Sequence, residues 1–175
     1  MPSPSTQPGS ALRLRRLTID DGPAFDAAHR ATTDYLLGLG YTPGMPFADY
    51  LAELERQRCG HDLPDHLVPA TFLVAVVGGE IVGRSSIRHE LNDFLRREGG
   101  HIGYCVVPEH RGNGYATEIL AQSLIVARSV GVESALLVCD DDNTASAVVI
   151  EGAGGRLVDV VEDGDGQLVR RYWID

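Results

Sequence analysis

Six consecutive residues, Arg111-Gly112-Asn113-Gly114-Tyr115-Ala116, have the types and spacing to bind an anion. Two glycines one residue apart let the backbone pass through left-handed conformations, so that successive N–H groups converge on one spot. The apolar periodicity from Gly114 to Val130 predicts a helix directly after the turn, and its N-terminus adds partial positive charge. Phosphate is the anion such a place most often holds. A dinucleotide-binding turn would require a third glycine where Thr117 stands, and the Pro108-Glu109-His110 insertion separates strand from turn. No Gly-Lys-Ser or Gly-Lys-Thr sequence occurs, which excludes a nucleotide P-loop.

The elements that must position this turn follow from periodicity. Leu12–Ile19 alternates as a first strand, and Asp20-Asp21-Gly22-Pro23 opens a helix expected to run through Phe25, Ala28 and Tyr35 to about Leu39. Phe47–Arg58 reads as a second amphipathic helix. Ala70–Val77 and Ile81–His89, joined by Gly78-Gly79-Glu80, form a hairpin, and Leu91–Arg97 a helical turn or extended loop. His101–Val107, stopped by Pro108, is the central strand; Glu133–Asp140 is the next, Asn143–Glu151 a short helix, and Arg156–Val161 with Leu168–Ile174 a closing hairpin. The order is β-α-α-β-β-β-α-β-α-β-β. A strand–helix–strand crossover in the middle predicts parallel pairing of those two strands within one mixed central sheet, an α/β fold.

Composition narrows the function classes. With 175 residues, 43% hydrophobic and 23% charged, the chain suits one soluble domain over residues 11–175. The Pro- and Ser-rich residues 1–10 read as a disordered tail without a secretory signal. Apolar runs such as Phe72–Val77 are too short to span a membrane. A formal charge of -10 argues against nucleic acid and suits a cationic partner, or solubility alone. All 15 basic residues are arginine, so no internal lysine side chain can be a nucleophile. Cys105 and Cys139 lie in apolar runs as buried free thiols, which with the missing signal points to the cytoplasm. His61-Asp62-Leu63-Pro64-Asp65-His66 is read as a solvated loop, Asp140-Asp141-Asp142 as helix-start charge, and Asp163–Gly166 as a hairpin turn; no metal is expected.

Arg111, Gly114 and Ala116, in the spacing Arg-x-x-Gly-x-Ala after a strand ending Val-Pro-Glu, resemble the signature of the Gcn5-related N-acetyltransferase (GNAT) family. Asn143-Thr144-Ala145-Ser146 resembles the Asn-x-x-Ser that opens that family's last helix. The resemblance covers about residues 11–175 and implies a mixed sheet flanked by helices on both faces. It also implies acetyl-CoA as cosubstrate, with the pyrophosphate on the amides of Gly112, Asn113, Gly114, Tyr115 and Ala116, and with Arg111, Asn143 and Ser146 also among the cofactor-binding residues. The pantetheine arm would pair with Cys105, Val106 and Val107, and an N–H of Val106 or Val107 would face the thioester oxygen.

The reaction so implied is direct transfer of acetyl to a primary amine of a small molecule or peptide. His101, near where family members often place a Glu, is a candidate base, with Glu90 and His89 as rivals and water as a further route. The family's usual proton-donating Tyr corresponds here to Ile150, which cannot give a proton; Tyr115, Tyr104, Ser146 and Cys139 are the candidate substitutes, with bulk water as the other route. Arg88, His89 and Asn92 cluster where the acceptor would enter. A homodimer is compatible with this reading. The alternative, motivated by Ile150, is a non-catalytic domain that binds or senses acyl-CoA.

Overall fold

The computed structural model describes residues 11–175; the tail expected over residues 1–10 lies outside them. Four strands, β1 (Arg13–Arg15), β2 (Ala70–Val77), β3 (Glu80–Arg88) and β4 (Ile102–Val106), form an antiparallel sheet in that order. A second antiparallel sheet is ordered β5 (Ala135–Asp140), β7 (Leu168–Ile174), β6 (Arg156–Glu162).

Helices cover the first sheet on both faces, and β2 shows why. Its residues are apolar on both sides, as a strand buried between two layers must be. Phe72 and Val74 pack with Phe25 of α1 (Gly22–Ala31), Tyr50 of α2 (Phe47–Cys59), Leu37 and Tyr41. Leu73 and Ala75 face the other way, into clusters containing Leu120 and Ile119 of α3 (Tyr115–Ser129). Ile150 of α4 (Thr144–Gly152) and Tyr172 of β7 extend the first of those clusters beneath the second sheet.

Three expectations are corrected. The first helix ends at Ala31, where the Thr32 N–H and hydroxyl turn back to the carbonyls of His29 and Ala28, and residues 32–46 form an irregular segment instead. Its leucine spacing looks helical, yet Leu37 is buried because the loop folds back onto Phe25. Strands β4 and β5 are not paired in a parallel ladder within one sheet; they touch at a single point and then diverge. Gly100 (φ 64°) makes that point possible, because a Cβ there would stand 2.5 Å from the Leu136 carbonyl oxygen. The neighbouring His101 N–H donates to the same carbonyl at 2.7 Å. The first strand is also shorter than the alternation suggested, only Arg13–Arg15.

Candidate functional site

The divergence of β4 from β5 leaves one edge of β4 without a strand partner. Register decides which backbone groups face it. Arg88 N–H donates to the His101 carbonyl and Val107 N–H to the Val82 carbonyl, so residues 101 and 107 direct those groups at β3. Antiparallel alternation then turns the groups of Cys105 towards β3, opposite Arg84, and those of Tyr104 and Val106 towards the open edge. Of the expected pairing residues Cys105, Val106 and Val107, only Val106 presents its backbone to the gap. The Val107 N–H is already taken, and Val106 is left as the amide that could face a thioester oxygen.

At the end of this edge stands the glycine turn. Gly112 (φ 80°) and Gly114 (φ 78°) adopt left-handed conformations with open space beside both. The six N–H groups of Gly112, Asn113, Gly114, Tyr115, Ala116 and Thr117 donate no hydrogen bond to the protein, and α3 begins at Tyr115. Six amide donors at a helix N-terminus form a cradle that fits a pyrophosphate. The Asn113 side chain braces the turn by donating to the His110 carbonyl at 2.9 Å. The Arg111 side chain does not reach into the cradle. Its Nε donates to the Val106 carbonyl (3.1 Å), and its two Nη atoms grip Asp34 at 2.8 and 3.0 Å. That hydrogen bonding holds the Asp34 carboxyl below its ordinary pKa.

Across the gap, Asn143 caps α4 by accepting the Ser146 N–H at 3.1 Å, and the Ser146 hydroxyl meets the Tyr104 hydroxyl at 2.9 Å. Burial pushes the Tyr104 pKa up to about 12, so the phenol keeps its proton at neutral pH. Tyr115 packs instead against the cluster of Leu12, Val82 and Ile119. Ile150 is fully buried in the core. Sequence reasoning missed Tyr35, which it had placed in a helix. The residue is 45% exposed, yet burial of its phenol, and then the charge of Asp140, raise its pKa.

His101, the expected base, is withdrawn from that role by its hydrogen bonds. The ring is 8% exposed, and its Nδ1 accepts the Leu136 N–H at 2.9 Å. In that tautomer Nε2 carries the proton, so the neutral ring has no lone pair left to accept another. Burial, with the charges of Arg96 and Arg88, lowers its pKa to about 4. His101 is a structural clamp between the two sheets. Glu90 is exposed just beyond β3, and His89 is held through Nε2 by the Thr71 hydroxyl at 2.8 Å, its pKa lowered mainly by burial. Cys105 and Cys139 are buried free thiols whose pKa values burial raises, which makes them poor nucleophiles.

On the α1–α2 face lies a cavity of about 1010 Å³. Arg88 and Asn92 line it, with Tyr50, Ser86, Asp65 and Asp93, whereas His89 does not. The pair His66 and Asp65, from the segment read as a solvated loop, thus reaches the cavity wall. Among the described residues, no helix is long and apolar enough to cross a membrane.

Open edge, amide cradle and α4 cap together fit an acyl-CoA thioester, and comparison with known proteins agrees. The fold is shared with the yncA protein of Salmonella typhimurium, solved with its cofactor acetyl-CoA (18% identity, 94% of each chain, TM-score 0.62). It is shared with Mycobacterium smegmatis RimJ in complex with CoA-disulfide (22% identity, 93% of this chain and 81% of that one, TM-score 0.69). A Salmonella typhimurium acetyl transferase that modifies the N-terminal serine of a 50S ribosomal subunit protein is also similar (20% identity, 94% and 95%, TM-score 0.66). No curated protein sequence matches the chain. Residues 11–156 match the family model described as acetyltransferase (GNAT) domain, so the chain belongs to the GNAT acetyltransferases.

Proposed function

We propose that this protein transfers acetyl from acetyl-CoA directly to a primary amine of a small molecule or peptide bound in the cavity between α2 and the β2–β3 face. The observation that carries the reading is the row of six unpartnered amides from Gly112 to Thr117, in line with the open edge of β4. Pyrophosphate on those amides directs the pantetheine arm along Tyr104 and Val106. The Val106 N–H then donates to the thioester oxygen as negative charge grows on it. The amine nitrogen attacks the carbonyl carbon, the C–S bond breaks, and the Tyr104 hydroxyl gives its proton to the departing sulfur; Tyr35 is the alternative donor. With His101 engaged and Glu90 beyond the far end of β3, outside the cavity wall, the attacking ammonium loses its proton directly to ordered water.

Acidic residues at the cavity, Asp65 and Asp93, support an acceptor that arrives as a cation. Transfer to N-terminal serine by a structural neighbour supports the peptide version of this reading. Buried free thiols at Cys105 and Cys139 support a cytoplasmic setting. The exposed apolar residues Leu157, Val158, Val160 and Leu168 on the β6–β7 hairpin are the surface a homodimer would use.

Following free thiol release from acetyl-CoA with a panel of amines and N-terminal peptides tests the reading. Amine-dependent release with an acetylated product is expected. Coenzyme A binding without turnover for any amine would instead establish the sensing domain that buried Ile150 first suggested.

A further inference from the structure

Most arginines of this chain are paired with surface carboxylates, as in Arg15–Asp21, Arg58–Glu55, Arg111–Asp34 and Arg171–Asp159, and Arg13, Arg96 and Arg128 stand exposed to water. Arg84 and Arg88 are neither paired nor exposed. They project from the same face of β3, opposite Val74 and Ala70, into the layer beneath α2. Among the described residues neither has a carboxylate within ion-pair distance.

Their guanidinium groups lie side by side over Gly103. A Cβ on that glycine would stand 3.1 Å from Arg88 Nη1 and 3.5 Å from Arg84 Nη1. Arg84 is 4% exposed; it donates to the carbonyls of Gly103 (2.8 Å) and Leu36 (3.0 Å), and its Nε has no partner. Arg88 donates only to the Gly99 carbonyl, at 3.2 Å. Two adjacent cations under a helix layer carry a large desolvation cost that three carbonyl dipoles offset only in part. The Tyr50 hydroxyl, fully buried, also has no hydrogen-bond partner. Arg88 and Tyr50 border the same cavity, with Ser86 between Arg84 and Arg88 on the strand.

Unused donors and uncompensated positive charge converging on one cavity describe the complement of an anion. We infer that the acceptor amine carries a carboxylate, seated on Arg88 with the Tyr50 hydroxyl as a second donor and Arg84 reinforcing the field from behind. The planar fork of an arginine matches the two oxygens of a carboxylate. This deepens the acetyltransferase reading and rests on it for the amine. It also separates two levels within the cavity: its exposed rim carries Glu53, Asp65 and Asp93, while Arg88 stands on the strand beneath. The acceptor class is then an amino acid, or a peptide with an acidic residue close to its N-terminus.

The test uses the full chain with acetyl-CoA and acceptors matched in their amine but not their carboxylate. Amino acids are compared with their primary amides, and peptides bearing Asp or Glu at the second position with those bearing Asn or Gln. Carboxylate acceptors should be preferred about tenfold or more in kcat/KM. The arm showing the larger ratio identifies the free α-carboxylate or the peptide side chain as the source. In Arg88→Gln that ratio should fall towards one, Arg88→Lys should retain part of it, and Tyr50→Phe should lower it several-fold. Equal or better use of the amides by the native protein would overturn the inference.

Calorimetry with the same carboxylates in the presence of coenzyme A gives a readout independent of turnover. Carboxylate binding lost in Arg88→Gln, with no acetyl transfer to any amine, would overturn the transferase reading and leave the carboxylate site standing. Binding indifferent to both arginine variants would sink the carboxylate site alone.

Discussion

The cofactor half and the acceptor half of this site are made of different material. The proposed cofactor half is built of main chain, the amides from Gly112 to Thr117 and the β4 edge at Tyr104 and Val106, with the Asn143 side chain serving only to cap α4. The acceptor half consists of side chains gathered from α2, the loop before β2, β3 and the segment after it. Main-chain donors are the same whatever the residue, so selection there acts on where glycine permits the turn. A side-chain wall can be rebuilt residue by residue without moving the sheet. Such a division lets one fold keep its acyl donor and change its acceptor, and it predicts that damage to either half should have a different signature.

The largest effect should come from placing charge in the amide cradle. Thr117→Glu puts a carboxylate at the first turn of α3 from an exposed position, with no change at a left-handed glycine. Coenzyme A affinity measured by calorimetry should fall about 100-fold or more, equivalent to about 3 kcal/mol, while the melting temperature holds. Gly114→Glu should do the same at an added cost in stability of about 1–2 kcal/mol, because φ there is 78°. Unchanged coenzyme A affinity in Thr117→Glu would remove the cradle from the site.

Next in size is the proton donor. Tyr104→Phe should lower kcat by about 100-fold with little change in coenzyme A affinity, the range expected of a lost general acid. Because its pKa is pushed up to about 12, the phenol is protonated throughout the ordinary working range. Donor competence is lost only as pH rises towards that value, so no alkaline fall in kcat below about pH 10 should trace to this group. A kcat within twofold of native in Tyr104→Phe would transfer the role to Tyr35.

The contrast between the halves also explains what could be read without the structure. Periodicity located α2, α3, α4 and both hairpins, because each buries an apolar face written into consecutive residues. Arg111 to Ala116 was legible for the same reason: a glycine-dependent turn is a local property. The helix expected to reach Leu39 was not, since Leu37 and Tyr41 enter the core by a folded-back loop whose spacing only mimics a helical face. Parallel pairing of β4 with β5 failed because the hydrogen bonds that would build it are withheld to leave the cleft. Arg84 and Arg88 were visible as strand residues on one face, but their lack of a counter-ion depends on what α2 and the segment after Ala31 bring near. Long-range juxtaposition has no sequence pattern.

His101 tests the boundary between the halves, because its type suggests chemistry and its bonds indicate architecture. His101→Asn keeps an acceptor for the Leu136 N–H, whereas His101→Ala orphans that buried donor at about 1–3 kcal/mol. We expect kcat within a few-fold of native in the Asn variant, against the hundredfold loss a missing base would cause. The pH dependence of stability supplies a second readout. The folded ring holds a pKa of about 4, while the unfolded ring takes a proton near pH 6.5. Stability is therefore full above about pH 6.5, declines as pH falls through that window, and levels off below about pH 4. The decline, on the order of 2–3 kcal/mol, should be absent from His101→Asn in denaturant titrations. A native-like decline in that variant would assign it to another group.

The smallest expected effect is at an exposed ion pair that ties the two halves together. Asp34 belongs to the segment that supplies Leu39 and Gly40 to the acceptor cavity, and it grips Arg111, whose Nε holds the Val106 carbonyl on the cofactor side. Both partners are about half exposed, so solvent screening leaves the pair little weight in stability. On the proposed reading its role is geometric, to fix the distance between the amine and the thioester that must meet. Asp34→Asn should therefore leave the melting temperature nearly unchanged yet raise KM for both substrates about two- to fivefold. A strap acting on one half only would move one KM and not the other. Raised salt, which screens an exposed pair, should reproduce part of that double shift in the native protein and none of it in the variant.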